Sequence, residues 1–307
     1  MTTIRIATRK SPLALWQASH IGEQIKQHWP QIQIELVPML TSGDQFLKDK
    51  LAAEGGGKGL FVKELEEALL ANKADLAVHS MKDVPAFFPE GLSLAAICKR
   101  HTPFDALVAL NQTKWQDLPK GAVIGTTSLR RQSQLLALRP DVIIKGLRGN
   151  IHTRLKKLQA GEFDAIILAA AGLKRMGLEA FISDILNEDR MLPACGQGAL
   201  GIECRTEDSR IQALIAPLNH QETALCVQTE RQVSALLGGN CHVPLAVYCK
   251  IDADNRLDLR AKVLSLDGKT VLCDSQSGVQ AERDLLARRC AQSLLGKGAE
   301  KLLSLSS

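Results

Sequence analysis

Short apolar runs alternate with longer amphipathic segments over the first two thirds of the chain. The apolar runs predict strands at Ile4–Ala7, Ile32–Met39, Asp75–Val78, Ala122–Ile124, Asp141–Lys145 and Ala165–Leu168. Helical spacing lies between them, and Pro12 opens a helix that is expected to end near His28. Because strands that alternate with helices form βαβ units, the pattern predicts mainly parallel sheets. Residues 98–105 are expected to link a first α/β unit to a second.

The pattern changes after the second unit. The segment Leu192–Gly201 is rich in small residues and is a candidate for a second crossing between the two units. Beyond it, the spacing predicts two helices and two strands at Glu222–Leu237, Leu245–Lys250, Leu257–Leu264 and about Gln280–Leu295. Asp267-Gly268 is typical of a hairpin turn. The tail therefore predicts a small α+β domain.

Basic side chains are concentrated between Gly125 and Arg154. This stretch has one acid, Asp141, and six basic residues: Arg130, Arg131, Arg139, Lys145, Arg148 and Arg154. Several of these cations fall at predicted helix starts, where the helix dipole and free N–H groups favour negative charge. The stretch therefore favours an anion-binding site at the carboxyl ends of parallel strands. The alternative is a solvated basic face on two surface helices.

Composition narrows the functional classes. Among 307 residues, 45% hydrophobic and 23% charged residues are ordinary for a globular protein, and a net charge of +5 is modest. Seven Phe, three Trp and one Tyr give few rings for stacking on bases, which argues against a nucleic-acid partner. No apolar stretch approaches the roughly 18 residues that span a bilayer, so no membrane partner is expected.

The compartment and the metal content are also predicted from the sequence. The segment MTTIRIATRK has no apolar signal core, and the eight cysteines form no CxxC pair, so we expect reduced thiols and a cytoplasmic protein. The chain has no phosphate-loop, GxGxxG or GxSxG motif. Its seven histidines form no HExxH motif and no zinc spacing, so no metal is expected.

Asp83 is the best catalytic candidate among the carboxylates. It follows a buried strand and stands beside Lys82, on the same kind of strand-end loop as the arginines. A carboxylate in that place can exchange protons or stabilise a developing cation. The alternative is that Asp83 pairs with Lys82 or caps the next turn.

Cys241 is distinguished by its loop, in which Gly238, Gly239 and Asn240 precede it and His242 follows. Glycine and asparagine accept positive φ, and a neighbouring histidine favours the thiolate, the reactive form of cysteine. The alternative is that Cys241 is an inert small hydrophobic residue, as most cysteines are.

These residues stand within a series of motifs spread over the chain. The motifs are Ile6–Ala14, Gly56–Phe61, His79–Pro85, Gly125–Arg131, Leu147–Asn150, Gly172–Arg175, Pro193–Gly198 and the Cys241 loop. In this order they make the whole chain resemble the porphobilinogen deaminase (hydroxymethylbilane synthase) family. The family is one of transferases in tetrapyrrole and heme biosynthesis.

The resemblance implies an α/β fold with two lobes like those of periplasmic binding proteins, and a small C-terminal α+β domain. The implied boundaries are 1–99 with 198–216, 100–197, and 217–307. It also implies that four porphobilinogen molecules are joined head to tail into hydroxymethylbilane, with release of ammonia. A dipyrromethane cofactor, made from two substrate molecules and attached to Cys241 by a thioether, primes the reaction. A monomer is expected.

The resemblance also implies roles for individual residues. Asp83 would stabilise the cationic methylene-pyrrolenine that remains when the amine departs. The cofactor would be held by Lys82, Thr126, Ser128, Arg130 and Arg131. The substrate would be bound by Arg9, Ser11, Lys58, Phe61, Arg148, Arg154 and Arg175. Arginine forks bind carboxylates in a bidentate geometry that lysine supplies poorly, which suits a substrate carrying an acetate and a propionate.

Some positions depart from the family pattern, namely Thr102, Phe104, Cys195, Asn240 and His242. None of them carries the proposed chemistry: Thr102 and Phe104 lie in the segment that links the two α/β units, and Asn240 and His242 flank Cys241. The rival hypothesis is a two-lobed, non-catalytic binder of small polycarboxylate anions. That hypothesis leaves Asp83 and the Cys241 loop without a role.

Overall fold

The computed structural model describes residues 3–43, 62–238 and 243–304. The motif Gly56–Phe61, with Lys58 and Phe61, lies outside this part of the chain, as do Gly239, Asn240, Cys241 and His242. The chain forms two compact units. The first comprises Met1–Arg100 and Ala199–Ala224, and the second comprises His101–Gly198 and Leu225–Ser307.

One mixed sheet forms the centre of the first unit. Its strands are β1 (Thr3–Arg9), β2 (Gln33–Met39), β3 (Leu76–Ser80), β4 (Leu92–Ile97) and β10 (Leu200–Arg205). The order across the sheet is β2-β1-β3-β10-β4. Strands β2, β1 and β3 run parallel, whereas β10 is antiparallel to both of its neighbours.

Helices cover both faces of this sheet. Helix α1 (Pro12–His28) begins where Ser11 Oγ accepts a hydrogen bond from the Ala14 N–H at 3.3 Å. Helix α2 is Lys63–Leu70. Successive residues of a strand point to opposite faces. On the α1 face the core includes Ile4, Ile6, Ile21, Ile25, Leu76 and Val78. On the α2 face it includes Ala7, Leu65, Leu69 and Ala77.

The second unit contains a sheet of the same topology. Its strands are β5 (Asp105–Ala109), β6 (Val123–Gly125), β7 (Ile143–Lys145), β8 (Ala165–Ala169) and β9 (Asp184–Leu186), in the order β7-β6-β8-β5-β9. Strands β7, β6 and β8 run parallel, and β5 is antiparallel to β8 and β9. The helices of this part are α3 (Leu129–Leu138), α4 (Ile151–Gln159) and α5 (Ala170–Arg175).

A third, antiparallel sheet belongs to the C-terminal part of the chain. It is formed by β11 (Leu245–Ile251), β12 (Arg256–Leu264) and β13 (Val271–Val279). Alternate residues of β12 are buried against α8 (Arg283–Gly296) and α9 (Ala299–Ser304). Two further helices of the described residues are α6 (Ser209–Ile215) and α7 (Gln221–Leu236).

The predicted fold class is confirmed: two sheets are rich in parallel strands, and the C-terminal part is a small α+β domain. Some local elements differ from the sequence prediction. The motif Gly172–Arg175 belongs to α5, whose residues Ala170–Leu173 are buried in the core. Five of the strands were not predicted from the sequence, namely β4, β5, β9, β10 and β13. Strand β13 is an edge strand in which only Gly278 is buried, so it lacks an apolar pattern.

Candidate functional site

Four predicted site residues lie at the carboxyl ends of the first unit's parallel strands. Arg9 is the last residue of β1, and Ser11 caps the helix that follows. Lys82 and Asp83 follow β3, which runs parallel to β1. Because the carboxyl ends of parallel strands meet at one edge of a sheet, these four residues lie along the same edge.

The backbone fixes the short turn Met81–Asp83 that carries the candidate catalytic carboxylate. The Met81 N–H donates to the carbonyl oxygen of Ala199 at 3.1 Å, and the Val84 N–H donates to that of Met81 at 3.2 Å. The Met81 side chain is buried, and a side chain at Gly201 would collide with its sulfur. The turn is therefore anchored in the core, while Asp83 itself is half-buried.

A buried polar cluster lies on the strands that lead to this turn. His79 Nε2 is 2.8 Å from Oε2 of Glu203, and both side chains are almost completely buried. Glu66 of α2 is also buried, and its pKa is raised, first by burial and then by the negative charge of Glu203. Ser80, which follows His79 in β3, accepts a hydrogen bond at Oγ from Gln17 Nε2 at 2.9 Å. The hydrogen bond between Gln17 and Ser80 connects α1 to the end of β3.

In the second unit, hydrogen bonds join the loops that follow β6 and β7. The Thr126 N–H donates to the carbonyl oxygen of Lys145 at 2.9 Å, and Thr127 Oγ1 donates to that of Leu147 at 3.3 Å. Thr126 Oγ1 accepts from the Ser128 N–H at 3.2 Å. Ser128 is the N-cap residue of α3, but its side chain makes no capping hydrogen bond.

Arg130 and Arg131 do not form a solvated surface. They are 5% and 6% exposed, so the alternative of a solvated basic face is wrong for these two residues. Their guanidinium groups converge on the fully buried carboxylate of Asp105, with Arg130 Nη2 2.8 Å from Oδ2 and Arg131 Nη2 2.7 Å from Oδ1. Each also donates to a backbone carbonyl, Leu192 for Arg130 and Ile167 for Arg131.

The sequence interpretation missed Asp105. It is the first residue of β5, and it pairs with Ala169 at the carboxyl end of the antiparallel β8. Burial by itself raises the pKa of Asp105, but the charges and hydrogen bonds of Arg130 and Arg131 outweigh burial and lower this pKa below its ordinary value. Two cations beside one carboxylate leave an excess of positive charge in a buried place.

The remaining predicted arginines have different surroundings. Arg148 is exposed, in the loop after β7. Arg154 Nε donates to the carbonyl oxygen of Gly149 at 2.7 Å, which bends this half-buried side chain back over the loop. Arg175 Nη2 donates to the carbonyl oxygen of Gly198 at 2.7 Å. Each of the three is on a segment that follows β7 or β8.

Positive charge also marks the region near Arg175. The pKa of His101 is lowered, first by burial and then by the charges of Arg175 and Lys174. Lys174 Nζ lies 3.2 Å from Thr102 Oγ1. An electropositive surrounding of this kind disfavours a further cation and favours an anionic group.

The structure therefore groups the predicted residues by unit. In the first unit the strand ends carry Arg9, Ser11, Lys82 and Asp83. In the second unit the segments after parallel strands carry Thr126, Ser128, Arg130, Arg131, Arg148, Arg154 and Arg175. Their individual roles in binding remain predictions. The fold and these residues define an α/β protein whose arginine-rich strand ends suit organic carboxylates.

The described residues can be compared with the requirements for a membrane-spanning helix and for a metal site. None of their helices is both long and apolar enough to cross a membrane. Within the same part of the chain, no group of three or more His, Cys, Asp or Glu side chains could hold a metal ion.

Family models match both parts of the sequence. The model described as "Porphobilinogen deaminase, dipyromethane cofactor binding domain" matches residues 4–213, and "Porphobilinogen deaminase, C-terminal domain" matches residues 224–296. Curated porphobilinogen deaminases from Legionella pneumophila strains Lens and Paris are each 63% identical to this chain over 301 residues, which cover 98% of it and 97% of theirs. The chain therefore belongs to the porphobilinogen deaminase family.

Solved structures give weaker similarities. A probable amino-acid ABC transporter extracellular-binding protein from Bacillus subtilis has a TM-score of 0.43 at 12% identity, covering 71% of this chain and 90% of that one. The alkanesulfonate-binding protein from Xanthomonas axonopodis pv. citri has a TM-score of 0.39 at 15% identity, covering 76% and 74%. Because both TM-scores are below 0.5, neither structure supports an argument about this chain.

The matches confirm three predictions made from the sequence. The family is the predicted one, the protein is an enzyme of that family, and the cofactor is dipyrromethane. They do not test the domain boundaries or the roles of single residues, which remain predictions.

Proposed function

We propose that this protein joins four porphobilinogen molecules head to tail into hydroxymethylbilane and releases ammonia, as a step of tetrapyrrole and heme biosynthesis. The observation that carries the proposal is the match to both family models, together with 63% identity over 98% of the chain. A non-catalytic binder of small polycarboxylate anions accounts for the arginines but not for the half-buried Asp83 on its anchored turn.

The arginines bind the carboxylates of the substrate and of the growing chain. Each pyrrole carries an acetate and a propionate, so every added unit brings two further negative charges at neutral pH. We assign substrate binding to Arg9, Ser11, Lys58, Phe61, Arg148, Arg154 and Arg175. The exposed side chain of Arg148 on the loop after β7 and the half-buried side chain of Arg154 in α4 support this assignment for these two residues.

Asp83 acts on the positive charge that develops when the substrate loses its amine. Its carboxylate lies on a turn whose backbone is anchored by Met81, so it can face this charge without reorganising. The same group then helps to remove the proton after the carbon–carbon bond has formed.

The second unit is suited to the dipyrromethane cofactor. When bound, this cofactor supplies a covalent anchor for the growing chain, and we assign the attachment to Cys241 by a thioether. We assign the binding of the cofactor's carboxylates to Lys82, Thr126, Ser128, Arg130 and Arg131. The excess positive charge around Asp105 fits an anionic group there. The hydrogen bonds to Asp105 and Leu192 use two of the five N–H groups of Arg130.

We also propose the remaining properties expected from the sequence: three domains at 1–99 with 198–216, 100–197 and 217–307, a monomer without nucleic-acid or membrane partners, and a cytoplasmic location. Seven cysteines of the described residues are free thiols, which agrees with a reducing compartment. Size-exclusion chromatography with light scattering tests the monomer, and cell fractionation tests the location.

An intact-mass measurement combined with an ammonia-release assay tests the function and the cofactor attachment. We expect the purified enzyme to carry the mass of two linked pyrrole units and to release ammonia from porphobilinogen. Cys241→Ala should lack both the added mass and the activity. Cys273→Ala, at an exposed cysteine outside the proposed site, is the matched control and should retain both. An active enzyme of unmodified mass would contradict the cofactor attachment, and binding of porphobilinogen without ammonia release would favour the non-catalytic binder.

A further inference from the structure

Two neighbouring side chains of α3 reach the same carboxylate. Adjacent residues of an α-helix project about 100° apart, so Arg130 and Arg131 do not naturally point to one place. Asp105 brings them together: its Oδ2 accepts from Arg130 Nη2 at 2.8 Å, and its Oδ1 accepts from Arg131 Nη2 at 2.7 Å and Nε at 3.1 Å. Asp105 is the one side chain that both guanidinium groups share, and the carbonyl oxygens of Leu192 and Ile167 each accept one further hydrogen bond from them.

Asp105 is itself held in place. Gln197 Nε2 donates to Asp105 Oδ1 at 3.1 Å and to the carbonyl oxygen of Pro103 at 2.6 Å. Gln197 is 1% exposed, and Asp105 is completely buried. A fully buried carboxylate that is held by three side chains has little freedom to reorient.

Stability alone does not account for this cluster. Burying charged groups costs solvation free energy, and buried ion triads can often be replaced by apolar residues without loss of stability. Here one carboxylate faces two guanidinium groups, so an excess cation remains in the interior. Such an arrangement is expected where a further anion is to be bound, because the protein has already desolvated and oriented the donors.

We propose that Asp105 is a positioning residue for cofactor binding: it orients Arg130 and Arg131 toward the carboxylates of the dipyrromethane without touching the cofactor itself. The proposal rests on the proposed role of these two arginines as cofactor ligands. Gln197 supports Asp105 from the segment that leads back to the first unit. Removing the charge of Asp105 therefore weakens cofactor binding through the arginines.

Asp105→Asn tests the proposal, because it keeps the shape of the side chain and removes its charge. The variant and the parent are produced free of cofactor and incubated with rising concentrations of porphobilinogen. The fraction that gains two pyrrole units is measured by intact mass, and folding by circular dichroism. We expect folded Asp105→Asn to need roughly 10- to 100-fold more porphobilinogen for half-maximal loading, the range known for residues that orient metal ligands.

Asp75→Asn is the matched control. Asp75 is also a buried carboxylate that pairs with an arginine, its Oδ1 lying 2.9 Å from Arg5 Nη2. It directly precedes β3, so it lies at the opposite end of that strand from Asp83. This variant should lose stability but load at the porphobilinogen concentration of the parent. If Asp105→Asn loads at that same concentration, Asp105 has only a structural role and the inference is wrong.

Arg130→Gln and Arg131→Gln separate this inference from the proposal on which it rests. Normal loading of both variants would remove the arginines from cofactor binding altogether. If both arginine variants load weakly and Asp105→Asn loads normally, the positioning role of Asp105 is wrong, while the arginines keep their role as cofactor ligands. If Asp105→Asn does not fold, Gln197→Leu decides instead. It removes one hydrogen bond to Asp105, and we expect about fivefold weaker loading, whereas unchanged loading contradicts the inference.

Discussion

The imidazole of His79 lies against the carboxylate of Glu203, with Nε2 2.8 Å from Oε2 and both side chains buried. The two residues are on the antiparallel neighbours β3 and β10, and β3 leads directly to the turn that carries Asp83. The pair therefore joins the strand that ends at the candidate catalytic carboxylate to the strand beside it.

Replacing Glu203 by leucine should destabilise the first unit. The change leaves His79 with an unsatisfied polar nitrogen in the core, which costs about 2 kcal/mol of the free energy of unfolding. Urea unfolding followed by circular dichroism measures this change. The double variant His79→Phe with Glu203→Leu removes both polar partners and should recover part of the loss. Equal stability of the parent and the single variant would show that the pair is not a stabilising contact.

Glu66→Gln should change how stability depends on pH. Burial, followed by the charge of Glu203, raises the pKa of Glu66 in the folded protein above that of the unfolded chain. At pH values between these two pKa values the folded protein binds more protons than the unfolded chain. Its free energy of unfolding therefore falls as the pH rises. Because glutamine cannot ionise, the variant should lack this contribution to the fall in the free energy of unfolding.

We therefore expect Glu66→Gln to be more stable than the parent at pH 7 and to approach it below the ordinary glutamate pKa of about 4.3. Urea unfolding at a series of pH values between 4 and 7 provides the measurement, with Glu67→Gln, an exposed neighbour, as the control. Parallel curves for the parent and Glu66→Gln would exclude a raised pKa at this position.

Asp83→Asn should retain the cofactor and lose turnover. The side chain keeps its shape and its turn, but it no longer stabilises a developing cation or accepts a proton. The loss in kcat should be roughly 10²- to 10⁴-fold, the contribution typical of a general acid–base group. Ammonia release gives the rate, and the intact mass shows whether the cofactor is present. Parental turnover in this variant would remove Asp83 from the mechanism.

Arg148→Gln should weaken substrate binding. Arg148 is exposed on the loop after β7, so its removal affects the fold little. Loss of a charge-assisted contact to a substrate carboxylate should raise KM by roughly tenfold. Steady-state kinetics with porphobilinogen measure the effect.

The control for this variant is Arg139→Gln. Arg139 follows α3 and pairs with Asp141, its Nη2 lying 2.6 Å from Oδ2. Its replacement should cost at most about 1 kcal/mol of stability and leave KM unchanged, because partly exposed ion pairs contribute little. If Arg148→Gln also leaves KM unchanged, Arg148 does not bind substrate.

Much of the candidate site was accessible from the sequence because its residues are marked by local patterns. Arg9, Asp83 and Arg148 each follow a short apolar run, and an apolar run that ends in polar residues predicts a strand end. The basic stretch after Gly125 indicated an anion among its arginines. The sequence interpretation did not find the protein's own anion, Asp105, because it is a single acid at the start of another strand.

The sequence by itself determined the features that depend on neighbouring residues: the βαβ alternation, the helix that Pro12 and Ser11 begin, and the family motifs. Only the tertiary structure decided which charges meet. Asp105 is 25 and 26 positions from Arg130 and Arg131, and His79 is 124 from Glu203. Contacts at such separations depend on strand order and burial, and no local spacing of residues encodes them.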